Sequence, residues 1–226
     1  MEELIKILEK FDTIRDFYKS DASKAWNEDA VAKCFEPCAR EILCGGYFRV
    51  NEKHIIDLGS IELYYHEEEG NIKDHIMYHT NEKGSYSDYY KNKKLPYFIL
   101  GSLHLHTSGI DVTFESEKNK YRASFLIRSY RVLDNEMEFG SEKKYDTCST
   151  HIYDDLFSKG LFIGNHKDFK IEWIPYSKGG DVKQCKRINV PKYEIKYDKN
   201  KEVKYEKSEK EETRNWRFER IVNKNQ

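Results

Sequence analysis

The chain has 226 residues, enough to bury one sizeable core and too few for two comfortable domains. Its 39 basic and 40 acidic side chains nearly cancel, which excludes a protein-wide positive field for nucleic acid and leaves only local charge for that purpose. Five cysteines, an odd number, with no signal peptide and no apolar run of membrane length, predict reduced thiols in a cytoplasmic protein and exclude a disulfide scaffold or a membrane span.

Leu4, Leu8, Phe11, Ile14 and Phe17 recur every three or four residues, with acids early and Arg15 and Lys19 late, so residues 2–19 are predicted to form an amphipathic helix. Asn27 suits the cap of a second helical stretch, Pro37 a fresh first turn, and Gly45-Gly46 a stop before a strand from Tyr47 to Val50. Cys34, Cys38 and Cys44 have helical spacing and no paired CxxC, which assigns them to packing rather than to zinc. Strand patterning follows in Lys53 to His66, Tyr97 to His106, Ile110 to Glu115 and Arg122 to Leu133, interrupted by turn-rich stretches such as Asn81 to Asp88. Residues 149–158 suit a short helix and Lys170 to Ile174 a strand. The lysine- and glutamate-rich stretch 192–212 suits an exposed loop or hairpin. With no repeat and no linker, residues 1–226 are expected to form a single α+β domain whose N-terminal helix lies within residues 1–27 and whose sheet is antiparallel or mixed.

The chemistry sits on the strands. Alternation puts Ile61, Leu63 and Tyr65 on one face and Glu62, Tyr64 and His66 on the other. In the later segment Ile110, Val112 and Phe114 form the apolar face, opposite Asp111, Thr113 and Glu115, while His104 alternates with Leu103 and Leu105. Two polar faces carrying a carboxylate, rings and imidazoles are thus able to converge on one pocket. The bland alternative for Glu62 is an exposed strand carboxylate. Basic residues outnumber acids from Val182 to Gln226, whereas the first third is acid-rich, which fits either a local basic face or a solvated mixed surface.

The succession Leu58-Gly59-Ser60-Ile61-Glu62-Leu63-Tyr64, Gly101-Ser102-Leu103-His104-Leu105-His106, Ile110-Asp111-Val112 and Phe125-Leu126-Ile127-Arg128-Ser129 resembles the core strands of the methylpurine (3-methyladenine, alkyladenine) DNA glycosylase family. Pro37 to Gly45 resembles that family's entry helix, and Lys186 to Val190 with Asn215 to Phe218 its closing strands, so the resemblance spans residues 30 to 220. It implies a curved, mostly antiparallel sheet flanked by helices. It also implies hydrolysis of the N-glycosidic bond of a flipped damaged or modified base, leaving an abasic site, as in DNA repair. By the same resemblance Glu62 is the general base and Tyr64 stacks on the base. His106 stands where the family has a tyrosine on the base's other face, Asp111 where it usually has an asparagine, His75 near a pocket histidine, and Arg128 at an arginine that holds the nucleotide. His104 lies beside the same group, and Lys186, Arg187 and Arg217 are the candidate nucleic-acid contacts. Expected are a DNA partner (a duplex with a flipped base, or a single strand), no cofactor or metal, no membrane, and a monomer.

One departure matters: the family's longer hairpin, with its duplex-wedging ring, is reduced to Thr107-Ser108-Gly109. Unstacking a base costs a few kcal/mol, so either Tyr86, Tyr89 or Tyr90 supplies the wedge or the substrate is already single-stranded, mismatched or distorted. Two other classes stay open. A metal enzyme would use His104 and His106 with Glu62, His66 or His75. A binding module would keep the fold without the reaction.

Overall fold

The computed structural model describes residues 1–74, 76–77, 95–158, 170–188, 193–197, 203–207 and 214–221. His75 and the loop tyrosines Tyr86, Tyr89 and Tyr90 lie outside them. The architecture is α+β, with a curled antiparallel half-barrel sheet and a few helices.

Helix α1, Glu2–Ser20, buries Leu4, Ile7, Leu8 and Phe11. Helix α2, Glu28–Cys44, starts at Asn27, whose side chain accepts the Ala30 N–H at 2.9 Å, and ends at Gly45. Pro37 was expected to open a separate helix but lies inside this one. Pro37 and Lys33, whose carbonyl loses its helical partner, are both exposed residues on the outer side of the helix, while Cys34, Phe35, Cys38 and Ala39 hold it down on both sides of Pro37.

Eight strands make the main sheet: β1 Gly46–Val50, β2 His54–Glu67, β3 Leu103–His106, β4 Gly109–Thr113, β5 Tyr121–Leu133, β6 Ile171–Pro175, β7 Asp181–Cys185 and β10 Arg217–Ile221. The order runs β3-β4-β5-β2, after which β2 shares its other edge: β1 and then β6 pair along its start, β10 and then β7 along its middle. Strands β8, Tyr193–Tyr197, and β9, Val203–Lys207, form a separate hairpin within the stretch read as loop or hairpin. A 3-10 turn, Glu136–Gly140, and a short helix α3, His151–Tyr153, continued by a π turn, Asp154–Ser158, complete the described elements. No helix among the described residues is long and apolar enough to cross a membrane.

Two strand expectations shift. The strand expected from Tyr97 begins at Leu103, because Gly101 turns the chain at φ +77 and its N–H bonds Thr113 instead. The closing strand expected from Lys186 is Asp181–Cys185, and the chain has left the ladder where Arg187 folds inward.

Both helices cover one sheet face. Phe35 of α2 packs on Phe114, Phe125 and Phe218, and Phe11 of α1 on Tyr65 and Tyr121. Ile61, Leu63, Val112 and Ile127 join this core. Burial of that face, at roughly 25 cal/mol per Å2 of apolar surface, fixes the sheet's inside and turns Glu62, Tyr64 and Asp111 to the other side.

Between Leu58 and Ile61 the ladder of β2 and β5 carries a paired irregularity, with Gly59 and Ser60 facing Arg128 and Ser129. Register sums are equal above and below it, but each strand holds one extra residue there, so side-chain parity reverses. Gly59 is required: a Cβ would come within 2.6 Å of the Tyr145 ring. Upstream of the bulge the outer face carries a second buried cluster. Asp57, fully buried, accepts from Lys178 Nζ at 2.7 Å, Arg131 Nε at 2.9 Å and the Tyr145 hydroxyl at 2.7 Å. Arg131 also holds the carbonyls of Phe139, Ser141 and Lys143, tying down the 3-10 turn. Burial pushes the Lys178 ammonium down to about 8 from its usual 10.5, against the pull of Asp57.

The cysteines separate by environment. Burial raises the Cys34 thiol to about 11 and the Cys38 thiol to about 12, whereas exposed Cys148, hydrogen-bonded to Thr150, is lowered. Brief iodoacetamide treatment of the native protein is therefore expected to label Cys148 first and Cys34 and Cys38 only after unfolding, with mass-mapped peptides as the readout. Early labelling of Cys38 would contradict this packing.

Candidate active site

Strand register lines up the outer face. His104 of β3 lies opposite Asp111 of β4, which lies opposite Leu126 of β5, then Glu62 of β2, then Arg217 of β10. Residues in register share a face, so one row carries three of the sequence-predicted side chains besides Glu62. Tyr64 sits one step along β2, opposite Ser124.

Glu62 has no solvent exposure. Its Oε1 accepts the Tyr64 hydroxyl at 2.7 Å, and its Oε2 accepts the Ile188 N–H at 3.0 Å. Arg128 Nε lies 3.6 Å from the same Oε2, while its Nη2 donates to the Ile188 carbonyl at 2.7 Å and its Nη1 to Ser149 Oγ at 3.3 Å. Ser149 in turn donates to the Ser108 carbonyl at 2.7 Å. Burial, and then the Glu62 charge, push the Tyr64 hydroxyl well above its usual range, so it stays protonated and donates.

One face of Tyr64 is backed by a cation: Arg187 Cζ lies 5.1 Å from its ring centroid and 5.2 Å from that of Trp216. This corrects the expectation that Arg187 contacts nucleic acid. The side chain is buried and pairs with Asp74 at 2.7 Å. Arg214 also reaches Asp74 at 3.2 Å, and although burial opposes it, the two guanidiniums hold the Asp74 carboxyl below its usual range. Of the predicted basic contacts, Lys186 is exposed and Arg217 partly so, with Arg217 paired to Glu219 at 2.7 Å.

On the other side of Leu126, three rings run in sequence: Phe98 stacks on His104 with centroids 5.4 Å apart, and His104 on His106 at 5.5 Å. Tyr153 clamps the backbone of His106, its hydroxyl accepting the His106 N–H at 2.9 Å and lying 2.6 Å from the His106 carbonyl. The Ser108 N–H donates to His106 Nδ1 at 3.2 Å, which leaves the ring proton of the neutral imidazole on Nε2. That nitrogen faces Asp111 Oδ1 at 3.1 Å, off the axis of a good hydrogen bond. The other Asp111 oxygen accepts Ser124 Oγ–H at 2.9 Å. Both nitrogens of His106 thus face protein groups.

His104, His106 and Asp111 place donor atoms within 4.8 Å of one another, a spacing that also suits a metal ion. The tautomer opposes that use. A ligating imidazole normally donates its second N–H outward, whereas here His106 Nδ1 accepts one and the proton lies on the nitrogen turned to the carboxylate. Purified protein is accordingly expected to carry no stoichiometric transition metal by elemental analysis, and His104→Ala to leave its metal content unchanged. One bound zinc per chain, lost in that variant, would reverse the assignment.

The structure thus brings together Glu62, Tyr64, His104, His106, Asp111 and Arg128, moves Arg187 to a supporting place and does not describe His75. Two clefts, of about 500 Å3 beside Arg15, Glu67 and Lys120 and about 410 Å3 beside His54, Arg131 and Asp155, include none of these six. Ser124 was accessible to reasoning from parity, two residues before Leu126. Ser149, Tyr153 and the Ile188 backbone reach the site only through tertiary folding and had no local signal. No family model matches the chain, nor does any curated protein or solved structure.

Proposed function

We propose that the protein is a monofunctional DNA base-excision glycosylase that hydrolyses the N-glycosidic bond of an extruded modified base. The observation that carries this reading is the setting of Glu62: a sealed carboxylate, fixed on one oxygen by Tyr64 and on the other by the Ile188 amide, with Arg128 beside it. Breaking a glycosidic bond makes a cation-like sugar, which a fixed carboxylate stabilises while it activates water. A water between Glu62 Oε2 and Arg128 Nε would be held for attack, and the Ile188 carbonyl, itself held by Arg128, adds negative potential on the sugar side. The face of Tyr64 away from Arg187 is the proposed wall for the base, with Leu126 as an apolar floor and His106 at its far end. DNA is the proposed partner, met through Lys186 and Arg217, and the proposed setting is the cytoplasm. The resemblance of the four strand segments to methylpurine glycosylases points the same way.

The test is mass spectrometry of bases released from alkylated, deaminated and naturally modified DNAs, double- and single-stranded, by wild type and by Glu62→Gln. Release by the wild type that the substitution abolishes is the expected result. No release from any DNA by either form, with DNA still bound, would instead indicate a binding module.

A further inference from the structure

We infer that Asp111 selects the base by accepting a hydrogen bond from an exocyclic amino group, so that the substrate is an amino-bearing modified base and not its keto counterpart. This rests on the glycosylase reading above and adds the substrate class to it.

Asp111 is 3% exposed and lies in the same sheet row as Glu62, with Leu126 between them. Two strand spacings, roughly 10 Å, separate their backbones, and the two carboxylates therefore flank the apolar Leu126 floor from opposite sides. A base lying on that floor, with its sugar at Glu62, turns its far edge to Asp111.

The other outer-face groups nearby are committed. Both Glu62 oxygens accept protein donors, and the Tyr64 hydroxyl proton goes to Glu62. At Asp111, Ser124 fills Oδ2, whereas Oδ1 is buried without an aligned donor. Ser124 O–H donates to this carboxylate and His106 Nε2 lies beside it, off axis, so Asp111 acts as an acceptor and not as a donor. An amino group meeting Oδ1 completes a charge-assisted hydrogen bond. A carbonyl in the same place sets lone pairs against lone pairs in a site that water does not reach. Such a site discriminates most strongly when the wrong ligand leaves a buried polar group unpaired. His106, with Nδ1 taken by the Ser108 N–H and Nε2 turned to Asp111, does not read the base edge.

The experiment uses the full chain and matched oligonucleotides that differ only in amino against keto: 3-methyladenine against 3-methylhypoxanthine, and 5-hydroxymethylcytosine against 5-hydroxymethyluracil. Single-turnover release by the wild type is expected to favour the amino member of a cleaved pair by at least ~10-fold. In Asp111→Asn, whose amide can turn its N–H2 toward a carbonyl, the keto member is expected to be released faster than by wild type, collapsing the ratio to within ~3-fold. A gain of release cannot arise from misfolding. Equal release of both members by the wild type overturns the proposal without reference to any variant, as does an unchanged ratio in Asp111→Asn. Absence of release from every DNA would bring down the glycosylase reading itself and this inference with it.

Discussion

Glu62→Gln lowers the rate of base release by about 10^2- to 10^4-fold, the usual contribution of a positioned general base, while leaving the protein folded. The amide keeps the size and planarity of the carboxylate, and its carbonyl oxygen can still accept either the Tyr64 hydroxyl or the Ile188 N–H. What it loses is the negative charge beside Arg128 and the ability to take a proton from water. Single-turnover kinetics on the best substrate of the base panel give the rate, and a thermal melt establishes that the fold persists. A variant that releases bases at the wild-type rate would remove Glu62 from the chemistry.

The largest effect on stability is expected at Asp57. This carboxylate is the counter-charge for Lys178 and Arg131, with Arg220 Nη1 3.7 Å away. Asp57→Ala leaves buried cations uncompensated, which typically costs about 3–5 kcal/mol, a large share of the ~5–15 kcal/mol that holds a domain together. A melting temperature lower by roughly 10 °C is the corresponding shift for a chain of this size. Lys178, at about 8 in the wild type, falls lower still once the pull of Asp57 is gone and relieves part of the penalty by losing its proton, so the deficit narrows as pH rises toward 8. On the acid side the sign follows from the direction of the Asp57 shift. Burial opposes ionisation, but Lys178, Tyr145 and Arg131 together hold the folded carboxyl below its ordinary 3.8. Its contribution is therefore complete above that value and disappears as pH falls through the lower folded one. Urea titrations of wild type and variant from pH 7 to pH 2 are expected to converge at the acid end; parallel curves would mean that Asp57 is not the anchor.

Much of this arrangement was legible from residue order. The apolar spacing of Leu4, Leu8 and Phe11 specified α1, and the alternation of Ile61, Leu63 and Tyr65 against Glu62 and Tyr64 specified which side of β2 meets the helices. Asp111 and Thr113 fell on the outer face for the same reason. What stayed hidden depends on partners distant in sequence. Asp57 has the parity of a core residue when counted from Leu63, and only the bulge turns it outward. Pro37 reads as a helix start because local chemistry does not reveal that its flanks are buried. Arg187 reads as a phosphate contact until Asp74, more than a hundred residues earlier, claims its guanidinium. Strand β7, with Val182 and Cys185 only partly buried, offers too little apolar alternation to announce itself.

The paired bulge at Gly59 and Arg128 has a consequence for how this fold tolerates changes in chain length. In the regular stretches of the two strands on either side of it, loss of a single position would turn every side chain beyond the gap to the wrong face of the sheet. Removing the extra position at the bulge from both strands together would instead leave plain alternation, with Asp57 and Glu62 still on one side of the sheet. Insertions and deletions in these two segments are thus confined to the bulge, the place where a change in length keeps the anchoring acid on the side that bears the site.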